Sequence, residues 1–127
     1  GVLNTDDAIN MKGMGVDGIY VSSHGGRQLA SAPHPIEMLP KIREALGKNV
    51  QIFYDSGLRT GEDLVKAYAL GADFVFMGRP WSLAYAADNR HGIDNYIGYL
   101  CKEASVAMAM IGRTKIAQIC YEDIFWN

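Results

Sequence analysis

The sequence is short of cysteine, of charge of one sign and of long apolar runs, and each shortage excludes a class of protein. It holds 2 cysteines. Cys101 and Cys120 form no Cys-x-x-Cys pair and no metal-ligand spacing with His24, His34 or His91, so neither a disulfide framework nor a metal site is expected. Both fall in stretches that read as helical and apolar, where cysteines are expected to be reduced core residues, as suits a cytoplasmic protein. With 12 Lys+Arg against 14 Asp+Glu and a net charge of -2, the chain offers no basic footprint for nucleic acid. Its longest apolar runs, such as Phe74-Val75-Phe76-Met77, are far too short to span a membrane. No basic segment of a signal peptide opens the sequence, and its first residue is Gly, as expected of a piece of a longer chain.

What is present is an alternation of two hydrophobic periods. Gly18–Ser22, Val50–Tyr54 and Phe74–Met77 are rich in β-branched or aromatic residues and lack a clean polar face. Such runs are expected to be parallel strands buried on both sides. Helix signals lie between them. Asn4 and Thr5 are cap-type residues ahead of Asp6 and Asp7, with Gly15 as a stop. Ile36, Leu39, Ile42 and Leu46 recur at helical spacing up to Gly47, which places Pro40 in a first turn, where its missing N–H costs little. Thr60 and Asp63 form a capping-box pattern ahead of Leu64, Val65 and Tyr68, and Gly71 closes that helix. Ile93, Ile97, Leu100, Ala104, Ala107 and Ile111 predict one long amphipathic helix covering the strands and ending at Gly112, with a shorter piece around Ile116 and Ile119. The order predicts an α/β fold of βαβ units, with residues 1–127 a single partial domain. A complete (β/α)8 barrel takes about 250 residues, so this chain has room for roughly half of one.

In parallel α/β folds, chemistry gathers just past the C-terminal ends of strands, and all three ends are loaded here. The first runs into Ser22-Ser23-His24-Gly25-Gly26-Arg27-Gln28. A His can take a proton near neutral pH, and a guanidinium can grip a carboxylate with two parallel bonds. The plainer alternative is a solvated loop with a hydrogen-bonded His. The second end, Asp55-Ser56-Gly57-Leu58-Arg59-Thr60-Gly61, leads straight into a capped helix, whose N–H groups and dipole favour an anion such as phosphate. Its plainer alternative is an ordinary loop with Asp55 and Arg59 paired. The third end is Gly78-Arg79-Pro80. Gly and Arg at two consecutive strand ends match the phosphate site that many barrels build after their last strands. His34 and His91 are expected in exposed turns, Met108 and Met110 as core filler or helix surface, and Trp81 in packing.

In order and spacing, these strings resemble the FMN-dependent 2-hydroxy-acid oxidising enzymes, which include lactate oxidases and dehydrogenases, glycolate oxidase and mandelate dehydrogenase. The resemblance rests on Gly15-Val16-Asp17-Gly18-Ile19, Ser22 to Leu29, Asp55 to Arg59, Leu70-Gly71-Ala72-Asp73, Gly78-Arg79-Pro80 and Met110-Ile111-Gly112. It implies the C-terminal part of a (β/α)8 barrel, FMN as cofactor and a small 2-hydroxy acid as substrate, oxidised to a 2-keto acid. It also implies that His24 is the active-site base and Arg27 the clamp on the substrate carboxylate. Asp55, Ser56, Gly57, Leu58 and Arg59, with Gly78 and Arg79, would form the flavin-binding segments, and no metal is implied.

The sequence departs from the family's usual pattern at Ser23, where Asn is usual, at Ala30, where an acidic residue is usual, and at Ser56, where Gly is usual. The resemblance further implies a Lys, a Tyr and an Asp partner for the base upstream of Gly1, so this polypeptide alone is expected to have little or no oxidase activity. Exposed sheet edges predict self-association, or pairing with a chain that supplies the rest of the barrel. Two alternatives are another FMN- or phosphate-binding barrel class, and a non-catalytic half-barrel that binds phosphate or only assembles.

Overall fold

The computed structural model describes residues 1–124. Three parallel strands, β1 (Gly18–Val21), β2 (Gln51–Tyr54) and β3 (Phe74–Val75), form one sheet in the order β1-β2-β3. Each is preceded by a helix: α1 (Thr5–Gly13), α2 (Pro35–Leu46) and α3 (Gly61–Ala69). The fourth helical stretch, α4 (Arg79–Met110), follows β3, and 3-10 turns follow it at Ile116–Gln118 and Tyr121–Asp123. The expected alternation is therefore present, with each strand shorter than its hydrophobic run.

Capping chemistry explains the helix starts. Asn4 accepts from the amides of Asp6 and Asp7, and Thr60 and Asp63 cap each other's amides reciprocally at α3. The predicted glycine stops hold at Gly15, Gly47, Gly71 and Gly112, all with φ between +68° and +107°. Ile19, Val21, Ile52 and Tyr54 point to the helix-covered face and join Leu39, Ile42 and Leu46 in a core with 2 % exposure or less.

Arg43 ties this core to the start of the sheet. Its guanidinium donates to the carbonyls of Gly71 (2.8 Å), Gly47 (2.7 Å) and Val50 (2.9 Å) and pairs with Asp73. Asp73 in turn accepts from the Ile52 amide at 2.7 Å. One side chain thus fixes the end of α2, the entry to β2 and the turn before β3.

Five expectations are corrected. The strands are buried on one face, not two: Tyr20, Phe74 and Phe76 lie on the other face, and Tyr20 and Phe53 both pack on Phe76. Helices cover only the first face, so strand alternation that apolar aromatics hide in sequence becomes visible in space. Pro40 lies inside α2 rather than in its first turn, because Pro35 already occupies the helix start. The long helix begins at Arg79 and is broken at Asp88 and Asn89, where Asn89 has φ +46°. His91 therefore sits just past that break in α4, still exposed, rather than in a surface turn. Finally, α4 packs chiefly on α3, not on the strands, and its apolar stripe is only partly covered: Leu100 is buried and Ile97 exposed.

Gly61 explains the α3–α4 contact. It is buried, and a Cβ there would collide with the backbone of Leu100 and Ala104, so a residue without a side chain allows the two helices to touch. A sixth expectation fails in part: both cysteines are free thiols, but they do not lie in the core. Cys101 is exposed on α4, and Cys120 is half-buried beyond it, 3.4 Å from Arg113, so neither belongs to the core. Among the described residues no helix is long and apolar enough to cross a membrane, and no cluster of potential metal ligands occurs.

Candidate active site

Parallel strands place their C-terminal ends side by side, and the three loops leaving those ends surround one cavity of about 1130 Å³. His24, Arg27, Asp55, Ser56, Gly57, Leu58, Arg59, Gly78 and Arg79 all line it. Every candidate site residue is thereby brought together. His34 lines a neighbouring cavity of about 440 Å³ instead.

The His24 loop is a tight turn rather than a slack one. His24–Gly26 forms a 3-10 turn in which His24, Gly25 and Gly26 all have positive φ. His24 is the non-glycine among them, at φ +54°, a conformation that costs about 1–2 kcal/mol in an L-residue. Neighbouring bonds hold it. The His24 amide donates to Oγ of buried Ser22 at 3.0 Å, and the Arg27 amide donates to the His24 carbonyl at 3.3 Å. The His24 and Arg27 side chains are exposed and carry no hydrogen bond or ion pair among the described residues. The loop is thus solvated, as in the plainer alternative, but the His24 side chain carries no hydrogen bond from the described residues.

The second loop departs from its plainer alternative. Asp55 does not pair with Arg59; its carboxylate accepts from the Tyr20 hydroxyl at 2.7 Å and from Ser56 Oγ at 2.8 Å. Ser56 Oγ also accepts from the Ser23 amide at 3.2 Å and lies 3.1 Å from Ser23 Oγ. The two serines at which the sequence departs from the family's usual pattern are thus in contact, and they lock the His24 loop to the Asp55 loop. Ser56 keeps φ +91°, a value natural to glycine, with its carbonyl held by the Tyr54 hydroxyl at 2.8 Å. Burial, reinforced by the negative charges of Asp55 and Asp63, keeps the Tyr54 phenol protonated well beyond the usual tyrosine range.

The N-terminus of α3 is not free for an anion. Asp63 accepts from the amides of Arg59 and Thr60, Glu103 from that of Gly61, and Thr60 from that of Asp63. The start of α4 is the open one: no side chain caps it, and although Pro80 has no N–H and the Trp81 and Ser82 amides bond the Gly78 carbonyl, the Gly78 and Arg79 amides have no partner among the described residues. A Cβ on Gly57 or Gly78 would meet nothing within 4 Å, so both glycines leave their backbone exposed to the cavity. The Arg59 and Arg79 side chains are exposed and unpaired among the described residues. Two free guanidiniums, two bare glycines and an uncapped helix start make a donor set suited to a phosphate. Arg79 also reaches the first loop, since a Cβ on Gly25 would lie 3.8 Å from its Nη2.

Sequence reasoning missed Tyr20, Phe76, Met77 and Tyr96, which also line the cavity. Tyr20 had a signal: period-two alternation along β1 sets it on the face opposite Ile19 and Val21.

Comparison with known proteins bears directly on these loops. The chain is 41% identical over 124 residues to an L-lactate dehydrogenase of Vibrio cholerae and 40% identical over 124 residues to an L-lactate oxidase of Lactobacillus jensenii. Each alignment takes in 98% of this chain, but only 33% and 30% of the relative, so the chain spans about a third of the curated relatives it matches. Its fold superposes on that of a mandelate oxidase bound to 3,3-difluoro-2-hydroxy-3-phenylpropionic acid with a TM-score of 0.88 at 39% identity, covering 92% of this chain and 35% of that one. A mandelate oxidase variant carrying a monooxide FMN adduct matches equally well, with 37% of its chain covered. The three parallel strands and their helices are thus a portion of the barrel fold of these oxidases. A profile of the FMN-dependent dehydrogenases matches residues 1–126, and with the strand-end loops and the fold in agreement, this chain belongs to the FMN-dependent dehydrogenase family.

Proposed function

We propose that this chain is part of a single barrel domain that oxidises a small 2-hydroxy acid to the corresponding 2-keto acid with FMN. The observation that carries this reading is the convergence of His24, Arg27 and the glycine–arginine pairs of two further strand ends on one cavity. Gly57, Arg59, Gly78 and Arg79 would hold the phosphate, and Asp55, Ser56 and Leu58 would line the flavin segment. Bound FMN supplies the acceptor for two electrons. Arg27 would bind the substrate carboxylate in two parallel bonds and so fix which carbon faces the flavin. His24, on the same turn, would receive the proton that the substrate gives up as its carbinol becomes a carbonyl. The positive-φ turn, braced by Ser22, Ser23 and Ser56, keeps base and clamp at a set separation.

The test is a titration of the purified chain with FMN, followed by quenching of flavin fluorescence, and then addition of a panel of 2-hydroxy acids under anaerobic conditions. Saturable quenching is expected, and any bleaching by a 2-hydroxy acid should disappear in His24→Ala while FMN stays bound. No saturable quenching would overturn the reading.

A second reading, assembly, is favoured by the aromatic face of the sheet, where Phe74 and Phe76 are 50% and 44% exposed. Burying such a patch against another chain is favourable by roughly 25 cal/mol per Å² of apolar surface. The chain is therefore expected to elute from gel filtration with a light-scattering mass well above the 13.9 kDa of one copy, and a strictly monomeric mass would sink this reading.

A further inference from the structure

Tyr20 sits in the middle of β1 on the sheet face that opens into the cavity, and nothing in the phosphate donor set or the His24 loop requires a tyrosine there. Its hydroxyl nevertheless makes one of the shortest cross-loop contacts of the site, donating to Oδ2 of Asp55 at 2.7 Å. The other carboxylate oxygen, Oδ1, accepts from Ser56 Oγ at 2.8 Å. A carboxylate offers about four lone-pair directions, so two remain on Asp55 after both bonds are made. Asp55 is only half-buried and lines the cavity, so they are open to a ligand there.

The phenol is itself held. Its ring packs on Phe76 with centroids 5.3 Å apart, which fixes the direction of the C–O bond. Partial burial, then the hydrogen bond and charge of Asp55, raise its ionisation above the usual tyrosine range, which favours the protonated, donating form. Tyr20 and Ser56 thus hold both oxygens of Asp55, which does not pair with Arg59 and lines the same cavity as His24, Arg59 and Arg79. The part of FMN that joins its phosphate to its ring is a chain of hydroxyl groups, which are donors.

We infer that Tyr20 is a further positioning residue of the site: by holding one oxygen of Asp55, its hydroxyl aims the remaining lone pairs at the hydroxyl-bearing chain of FMN. This rests on the FMN reading above. The role belongs to the hydroxyl alone, since phenylalanine would keep the ring contact with Phe76. It acts through Asp55, so removing Asp55's charge should make Tyr20 irrelevant to binding. It also concerns the hydroxyl-bearing chain and not the phosphate, which Arg59 and Arg79 serve.

The experiment titrates FMN into the unaltered chain, Tyr20→Phe, Asp55→Asn and the double variant, and measures in parallel the displacement of FMN by inorganic phosphate. Thermal unfolding checks that each variant is folded. Tyr20→Phe is expected to weaken FMN about tenfold, in keeping with one hydrogen bond to a charged group. Phosphate affinity should be unchanged, and the double variant should bind FMN no worse than Asp55→Asn alone. Unchanged FMN affinity in Tyr20→Phe would overturn the inference, as would parallel loss of FMN and phosphate or fully additive losses in the double variant. Failure of the unaltered chain to bind FMN would instead overturn the FMN reading and this inference with it, so the two failures are told apart by the first titration.

Discussion

Replacing Arg59 and Arg79 together by alanine is expected to weaken FMN binding on the order of a thousandfold while leaving the unfolding temperature almost unchanged. A charge-assisted hydrogen bond contributes about 1.5–3 kcal/mol, and every 1.4 kcal/mol is about tenfold in affinity. Two such contacts to one phosphate therefore reach about 3–6 kcal/mol. Neither guanidinium is engaged elsewhere among the described residues, so their removal leaves no buried group unsatisfied and the fold has nothing to lose. Both are exposed, so the loss should shrink as ionic strength rises and the phosphate charge is screened. Fluorescence titration of each single variant and of the double variant, at low and high salt, checks this. Equal affinity for the double variant and the unaltered chain would show that the phosphate lies elsewhere, and the open start of α4 would lose its proposed role.

Arg43→Ala should have the reverse signature, a large loss of stability with no direct contact to the site. Three carbonyls, those of Gly47, Val50 and Gly71, would lose their donor at once, and Asp73 would lose its ion pair. The ion pair is the smaller part, because the Asp73 side chain is 48% exposed and such pairs contribute at most about 1 kcal/mol. The carbonyls decide the size of the effect. The Gly71 and Val50 bonds are part-buried, so those carbonyls would cost about 1–3 kcal/mol each when unmet, while the exposed Gly47 carbonyl passes to water, and a net loss of about 2–4 kcal/mol is expected. Against a typical total of about 5–15 kcal/mol, that is a large share. Arg43→Lys should recover only part of it, since an ammonium cannot reproduce the planar fork that spans these carbonyls. Urea unfolding measures both, and a loss below about 1 kcal/mol for Arg43→Ala would show that the carbonyls find other partners.

The sequence carried different parts of this structure with different clarity. Thr60 and Asp63 were legible because a capping box is a contact between residues three apart, and the Gly47 and Gly71 stops because a positive φ is a property of one residue. Helix α4 was half legible. Its apolar spacing marked the helix, but the break at Asp88–Asn89 carries no proline, and its partner, Gly61, lies far back along the chain. The sheet's open face was illegible, since Tyr20, Phe74 and Phe76 look like buried residues to any reading of hydrophobicity. They lie on the face that a barrel turns to its interior, whereas its helices lie only on the outside.

For the site, the same division follows chain distance. By itself the sequence determined that the chain folds as βα units with parallel strands, and it determined which residues stand at the strand ends: His24 and Arg27, Asp55 to Arg59, Gly78 and Arg79. Those follow from hydrophobic period and local turn chemistry, which act over a few residues. Only the tertiary structure decided that Asp55 is held by Tyr20 rather than by Arg59, that Ser23 meets Ser56, and that acidic side chains fill the start of α3 while the start of α4 stays open. The Tyr20–Asp55 pair is separated by 35 residues of chain and the Gly61–Glu103 pair by 42. Such pairings are set by strand register and by how closely one helix can approach another, quantities that no local pattern encodes.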